Sequence, residues 1–153
     1  MNEPTRHTVG IRDVCFGERV KLVEPVNLYG CTLADDVFIG PFVEVQANVT
    51  IGRATRVQSH TFICENVTIG EGCFIGHGVM FANDLFKQGS PDPDSAHWGR
   101  TVIEDEVCIG SNATILPVRI CRGAIIGAGA VVTRDIEIPG TYAGNPARLL
   151  RTF

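Results

Sequence analysis

The chain has little of several things. It holds one Trp, two Tyr and two Met in 153 residues, and only 20% of it is charged. Its longest apolar stretch, Gly123 to Val132, falls far short of the roughly 20 residues a membrane-crossing helix needs. The opening "MNEPTRHTVG" lacks the apolar core of a secretory leader, so a cytoplasmic protein with no membrane partner is expected. A formal charge of −4 gives no basic field, which argues against nucleic acid as a default partner. No pair of the six cysteines (Cys15, Cys31, Cys64, Cys73, Cys108, Cys121) forms CxxC or shows zinc-ribbon spacing. They read as reduced, mostly half-buried small residues, and no metal is expected.

A period is present instead. Written in sixes from Leu33, the chain runs LADDVF, IGPFVE, VQANVT, IGRATR, VQSHTF, ICENVT, IGEGCF, IGHGVM, FANDLF. The first place is always apolar: Leu33, Ile39, Val45 and so on to Phe81. The fifth, from Val37 to Val79, is small or medium, and the second is often Gly. A helix turns about 100° per residue and would scatter a six-residue repeat around its axis. A continuous strand would keep place three on the buried face, yet Asp35, Arg53, Glu65, Glu71 and His77 stand there. Short strands that turn every six residues satisfy the pattern, with Gly easing the turns. The expectation is an all-β fold, a parallel β-helix of hexapeptide repeats with three hexads per coil.

The phase returns at Ile103, Ile109 and Ile115, then after one five-residue step at Ile120, Ile126 and Val132. Upstream, Phe16, Leu22 and Leu28 keep the spacing, which gives about six coils. The whole chain, 1–153, is expected to be one domain with a loop excursion over 82–102 and a short C-terminal tail over 137–153. A loop of that length in a compact domain is commonly functional or disordered. Phe86 and Trp98, near its two ends, suggest that it docks on something such as a neighbouring chain. Since a prism has flat faces, a site is expected where a loop covers a face or two prisms meet, which favours an oligomer. Stacking every 18 residues puts His60 and His77 on one face, one coil apart.

The segments "IGSNATILPVRICRGAIIGAGAVVTRDI" and "YAGNPARLLR" resemble the C-terminal half of the left-handed β-helix acyltransferases. "FAND", at the exit of a coil before the long loop, resembles the nucleotide-sugar N-acetyltransferases. Those enzymes acetylate 3-amino sugars such as UDP-2-acetamido-3-amino-2,3-dideoxyglucuronate or dTDP-3-amino-3,6-dideoxyhexoses, in cell-surface polysaccharide (lipopolysaccharide) biosynthesis. The loop departs from that branch: "LFKQGSPDPDS" stands where a Pro-Arg-Ser run is common.

The resemblance implies a left-handed coil, a homotrimer with sites between subunits, acetyl-CoA as donor and a nucleotide sugar as acceptor. Gly110, Ser111, Gly127 and Ala128 would pass the pantetheine arm, although glycines also simply turn corners. Asn145, Pro146, Arg148 and Arg151 would sit near the CoA phosphates, although the arginines also suit a solvated tail. Transfer to an amine needs positioning and an oxyanion site but no covalent nucleophile. Asn83 would orient the amine and Asp84 hold its proton, although both residues also suit a coil-exit turn. His60 and His77 are further candidate bases, with a surface or interface role as the plain alternative. Phe86, Lys87 and Trp98 are candidate acceptor contacts. Three rival functions stand beside this one. An O-acetyltransferase would use a His base. A γ-type carbonic anhydrase needs a zinc histidine pair that this chain lacks. A non-catalytic scaffold leaves the CoA-like tail unexplained.

Overall fold

A computed structural model describes residues 3–153. The hexads become two- or three-residue strands that wind into a parallel β-solenoid of about seven turns, with no α-helix among the described residues. Three sheets of seven, six and eight strands form the faces of the prism. The hexapeptide repeat is consistent with the left-handed form. Each coil visits the first, second and third sheet in turn, so equivalent residues stack one strand spacing apart, about 4.8 Å. Ile75 pairs with Val57 below and Ile109 above, for example.

The repeat places set the core. Every first-place residue from Leu33 to Phe81 is buried, as is every fifth-place residue from Val37 to Val79. Each buried aliphatic side chain contributes about 1.5–3 kcal/mol. Thr55 and Thr61 occupy fifth places without orphaned hydroxyls: their Oγ1 atoms donate to Gly70 O and Gly76 O, both at 2.8 Å. Beyond the loop Val107 still fills a fifth place, and Ala113, Ala124 and Ala130 fill later ones, all fully buried.

Three expectations are corrected. The count of about six coils misses the strand Ile11–Arg12, which pairs with Leu28–Tyr29 through a short corner that breaks the six-residue rule. At that end Phe16 is 45% exposed, because the outermost coil has a neighbour on one side only. The C-terminal segment is ordered as strands: Gly140–Ala143 adds in parallel to Ile125–Ile126, and Arg148–Thr152 folds back antiparallel on it. The cysteines are free but not mostly half-buried: Cys31, Cys64 and Cys73 are buried, Cys15 and Cys108 exposed, and only Cys121 lies between. Burial pushes the Cys64 thiol up to about 12 and the Cys31 thiol up to about 11.

The three edges of the prism differ. The edge between second and third sheets is charged, with Arg19–Asp36 at 2.7 Å, Arg53–Glu71 at 3.4 Å and Arg122–Glu106 at 2.6 Å. Such solvent-exposed pairs contribute little to stability. The edge between third and first sheets carries His60 and His77. The edge between first and second sheets carries the long loop. No helix of the described residues is long and apolar enough to cross a membrane.

Candidate active site

The histidine edge is built from successive corners. Strand register places Ser59, His77, Ser111 and Ala128 at equivalent positions, one coil apart. Backbone bonds tie the corners together: Gly78 N–H donates to Ser59 O, Asn112 N–H to His77 O and Gly129 N–H to Ser111 O. His77 is exposed, and its Nδ1 lies 3.5 Å from Ser111 Oγ, the outer limit of a hydrogen bond. His60 sits one coil lower, next along the corner, with φ 63°, and its ring lies against Phe42. Above Ser111 the edge is low in relief, since Ala128 and Gly129 present almost no side chain.

Gly110 and Gly127 stand on the same edge for a packing reason. A Cβ added at Gly110 would lie 2.5 Å from Ala128 N in the next coil, so close stacking alone accounts for that glycine. The turn Gly144–Ala147 closes the upper end of the edge. Val131 N–H donates to Gly144 O at 2.9 Å, and Ala147 N–H donates to Val131 O at 2.8 Å. Asn145 and Pro146 are exposed on this turn. Arg148 Nη1 donates to Ala147 O, and Arg151 reaches Thr141 Oγ1 at 3.5 Å and lies over Phe153. Both guanidinium groups are exposed.

The loop edge is organised differently. The chain leaves the coil after Phe81 and re-enters at Thr101. Asn83 stacks on Glu65: its Nδ2 donates to Glu65 O at 3.4 Å, and Oδ1 has no partner among the described residues. Asp84 is engaged through both oxygens, accepting Phe86 N–H at 2.8 Å and Asp92 N–H at 2.7 Å. It clasps the loop rather than standing free as a base. Asp92 continues the knot. Its carboxylate accepts Asp94 N–H at 3.0 Å and meets His97 Nδ1 at 3.1 Å, while its carbonyl accepts the Trp98 indole N–H at 3.0 Å. The Asp94 amide, and after it His97, hold the Asp92 carboxyl below the usual carboxylate range. Trp98 is therefore spent inside the loop. Phe86, 58% exposed at φ 51°, and Lys87 point away from it into solvent.

His77 and Asn83 thus flank the strand Met80–Phe81 from opposite corners. His60, His77, Gly110, Ser111, Gly127, Ala128, Asn145 and Pro146 come together on one edge. Asn83, Asp84, Phe86, Lys87 and Trp98 gather on the other. Sequence reasoning named Ser111 for its smallness and missed its pairing with His77, because the loop hides the 34-residue register. It also missed Arg100, which lines a groove of about 420 Å³ with Asn48, Asn66 and Thr68 just below Asn83. A single Arg at the end of a polar loop gives no periodic signal. No group of three or more His, Cys, Asp or Glu among the described residues is placed to hold a metal.

Comparison with known proteins fits this geometry. Residues 30–65 match the family described as bacterial transferase hexapeptide (six repeats), and residues 100–134 match the hexapeptide repeat of succinyl-transferase. The bifunctional protein GlmU of Neisseria meningitidis is 39% identical over 106 residues, 69% of this chain and 21% of its own length. The chain spans about a fifth to a third of the curated relatives it matches. A hexapeptide-repeat acetyltransferase of Vibrio cholerae, solved with acetyl coenzyme A, superposes with a TM-score of 0.68 at 25% identity, over 80% of this chain and 70% of that one. AntD, an N-acyltransferase of Bacillus cereus solved with dTDP and coenzyme A, gives a TM-score of 0.80 over 90% of this chain and 83% of that one; at 20% identity this is a likeness of fold. The chain thus carries, over 30–65 and 100–134, the hexapeptide repeats of the bacterial transferase family.

Proposed function

We propose that this protein transfers the acetyl group of acetyl-CoA to the amine of a nucleotide-linked 3-amino sugar. The observation that carries the reading is His77, exposed beside Ser111 Oγ at the foot of a strip of small residues. That strip, closed above by the Gly144–Ala147 turn, suits an extended thiol arm that hydrogen-bonds to backbone. With Nδ1–H donating to Ser111 Oγ, His77 Nε2 carries the lone pair. The amine attacks the thioester carbonyl, Nε2 takes the amine's proton, and the C–S bond breaks as the thiolate leaves and recovers that proton. The open Oδ1 of Asn83 accepts a hydrogen bond from the amine and aims it. Asp84 holds the loop in shape.

The 3-amino sugar rests on "FAND" and its place at the loop edge, and the fold is one on which a nucleotide and CoA sit together in AntD. His77 and Asn83 occupy different corners of one prism, so a site that uses both joins two copies. This supports a homotrimer with its sites shared between chains. One observation favours a second reading. A histidine braced by a serine on the donor strip also suits a hydroxyl acceptor, as in an O-acetyltransferase. Incubation with acetyl-CoA and a panel of UDP-, dTDP- and GDP-linked amino sugars, followed by thiol release, tests both. Release with an amino sugar supports the proposal. Release with hydroxyl acceptors alone replaces it with the second reading, and no release with any acceptor sinks both.

A further inference from the structure

We propose that Phe42 and His60 form a stacking platform for the heterocyclic base of the acceptor's nucleotide, an inference that rests on the nucleotide-linked acceptor proposed above. At this place in the hexad the backbone takes a positive φ, and the chain elsewhere fills it mostly with Asp, Asn or Gly (Asp36, Asn48, Asn66, Gly72, Gly78, Asn112) and otherwise with Ala54, His60 or Glu106. Phe42 adopts φ 61° there and is 57% exposed. The left-handed region disfavours a bulky side chain, and water disfavours an exposed ring. Folding gains from neither, so the ring calls for a partner outside the fold.

The surroundings suit a flat heterocycle. The Phe42 and His60 rings lie 4.9 Å apart at an interplanar angle of 32°, a tilted pair with its outer face open. Beside Phe42 is a hollow of about 340 Å³ lined by Val9, Pro25, Val26, Asn27 and Glu44, within the roughly 300–1,000 Å³ typical of small-molecule sites. Apolar walls take the base, and a polar rim bounds them, in which Asn27 Nδ2 donates to Glu44 Oε2 at 3.0 Å and Gln46 Nε2 donates to Glu44 Oε1 at 2.9 Å. The position also fits. Phe42 lies two coils below His77, about 10 Å along the edge, while the strip assigned to the donor runs the other way, from Ser111 toward Asn145. Donor and acceptor nucleotides would then approach the histidine from opposite ends.

The test titrates UDP, dTDP and coenzyme A into the full chain by calorimetry. Phe42→Asn places at this corner a residue that three other corners already use, so the coil is kept. Phe42→Leu keeps apolar bulk without a π face. Base–aromatic stacking predicts that both weaken nucleoside-diphosphate binding about tenfold or more, that coenzyme A binds as before, and that Phe42→Trp restores the affinity. Unchanged UDP and dTDP affinity in Phe42→Asn and Phe42→Leu overturns the platform. A selective loss of coenzyme A binding reassigns the rings to the donor's adenine, and dissociation of the oligomer in Phe42→Asn reassigns them to a contact between copies; either overturns it too. A wild-type chain that binds neither nucleoside diphosphate, and acetylates amines lacking a nucleotide, refutes the acceptor reading itself and the platform with it.

Discussion

A proton acceptor works only where its nitrogen is both exposed and held in place, and on the proposed donor edge His77 meets both conditions. His77→Ala is expected to lower kcat about 100- to 1,000-fold, with the KM for acetyl-CoA nearly unchanged. Ser111→Ala, which removes the brace, is expected to cost about tenfold. Equal turnover of wild type and His77→Ala, measured by thiol release, would move the base elsewhere. The cysteines give a second check at this scale. Thiolate is the reactive form, and burial holds Cys31, Cys64 and Cys73 as thiols. A thiol reagent such as Ellman's is expected to label Cys15 and Cys108 in the native protein and to reach these three only on unfolding. Single residues were the hardest level to read in the sequence. Asp84 looks like a base beside Asn83, and its role as a clasp depends on two backbone amides that no residue type announces. Phe42 looks like one more apolar residue in "IGPFVE" until its φ and exposure are known.

The elements were far more legible, because a hexad fixes burial. Ile39, Ile51 and Val79 are core residues for the same reason that any first- or fifth-place residue is. Ile75→Ala, which opens a cavity between fully buried neighbours, is expected to cost about 2–5 kcal/mol in chemical denaturation. What escaped the period was the strand Ile11–Arg12 and the hairpin Gly140–Thr152, which follow five-residue corners and antiparallel pairing instead. The loop edge makes its own prediction. Asp92 is charged and bonded in the folded loop with its pKa depressed, so its contribution is present above the ordinary value of about 3.9 and is lost as pH falls through the lower folded value. Hydrogen exchange or limited proteolysis is expected to show 82–100 loosening in that acid range while the coils persist. Asp84→Ala is expected to loosen the same segment at neutral pH. Unchanged protection in that variant would mean the loop holds its shape without the clasp.

For the whole molecule, the separation of His77 from Asn83 means that the proposed site, which uses both, would require an oligomer. Coexpressed His77→Ala and Asn83→Ala chains are each expected to be weak alone and to regain activity when mixed. A mixed oligomer pairs an intact His77 from one chain with an intact Asn83 from another. Failure to complement, with mixed oligomers verified, would return the site to a single chain. The stacked coils carry one more consequence. Two groups on the same edge can be separated only by whole numbers of strand spacings, about 4.8 Å each. The prism is a ruler with fixed graduations. A ligand of another length is met by moving a side chain a full mark, as from His77 to the position of Ser59, and not by small adjustments of the backbone. Specificity on such a scaffold changes in steps.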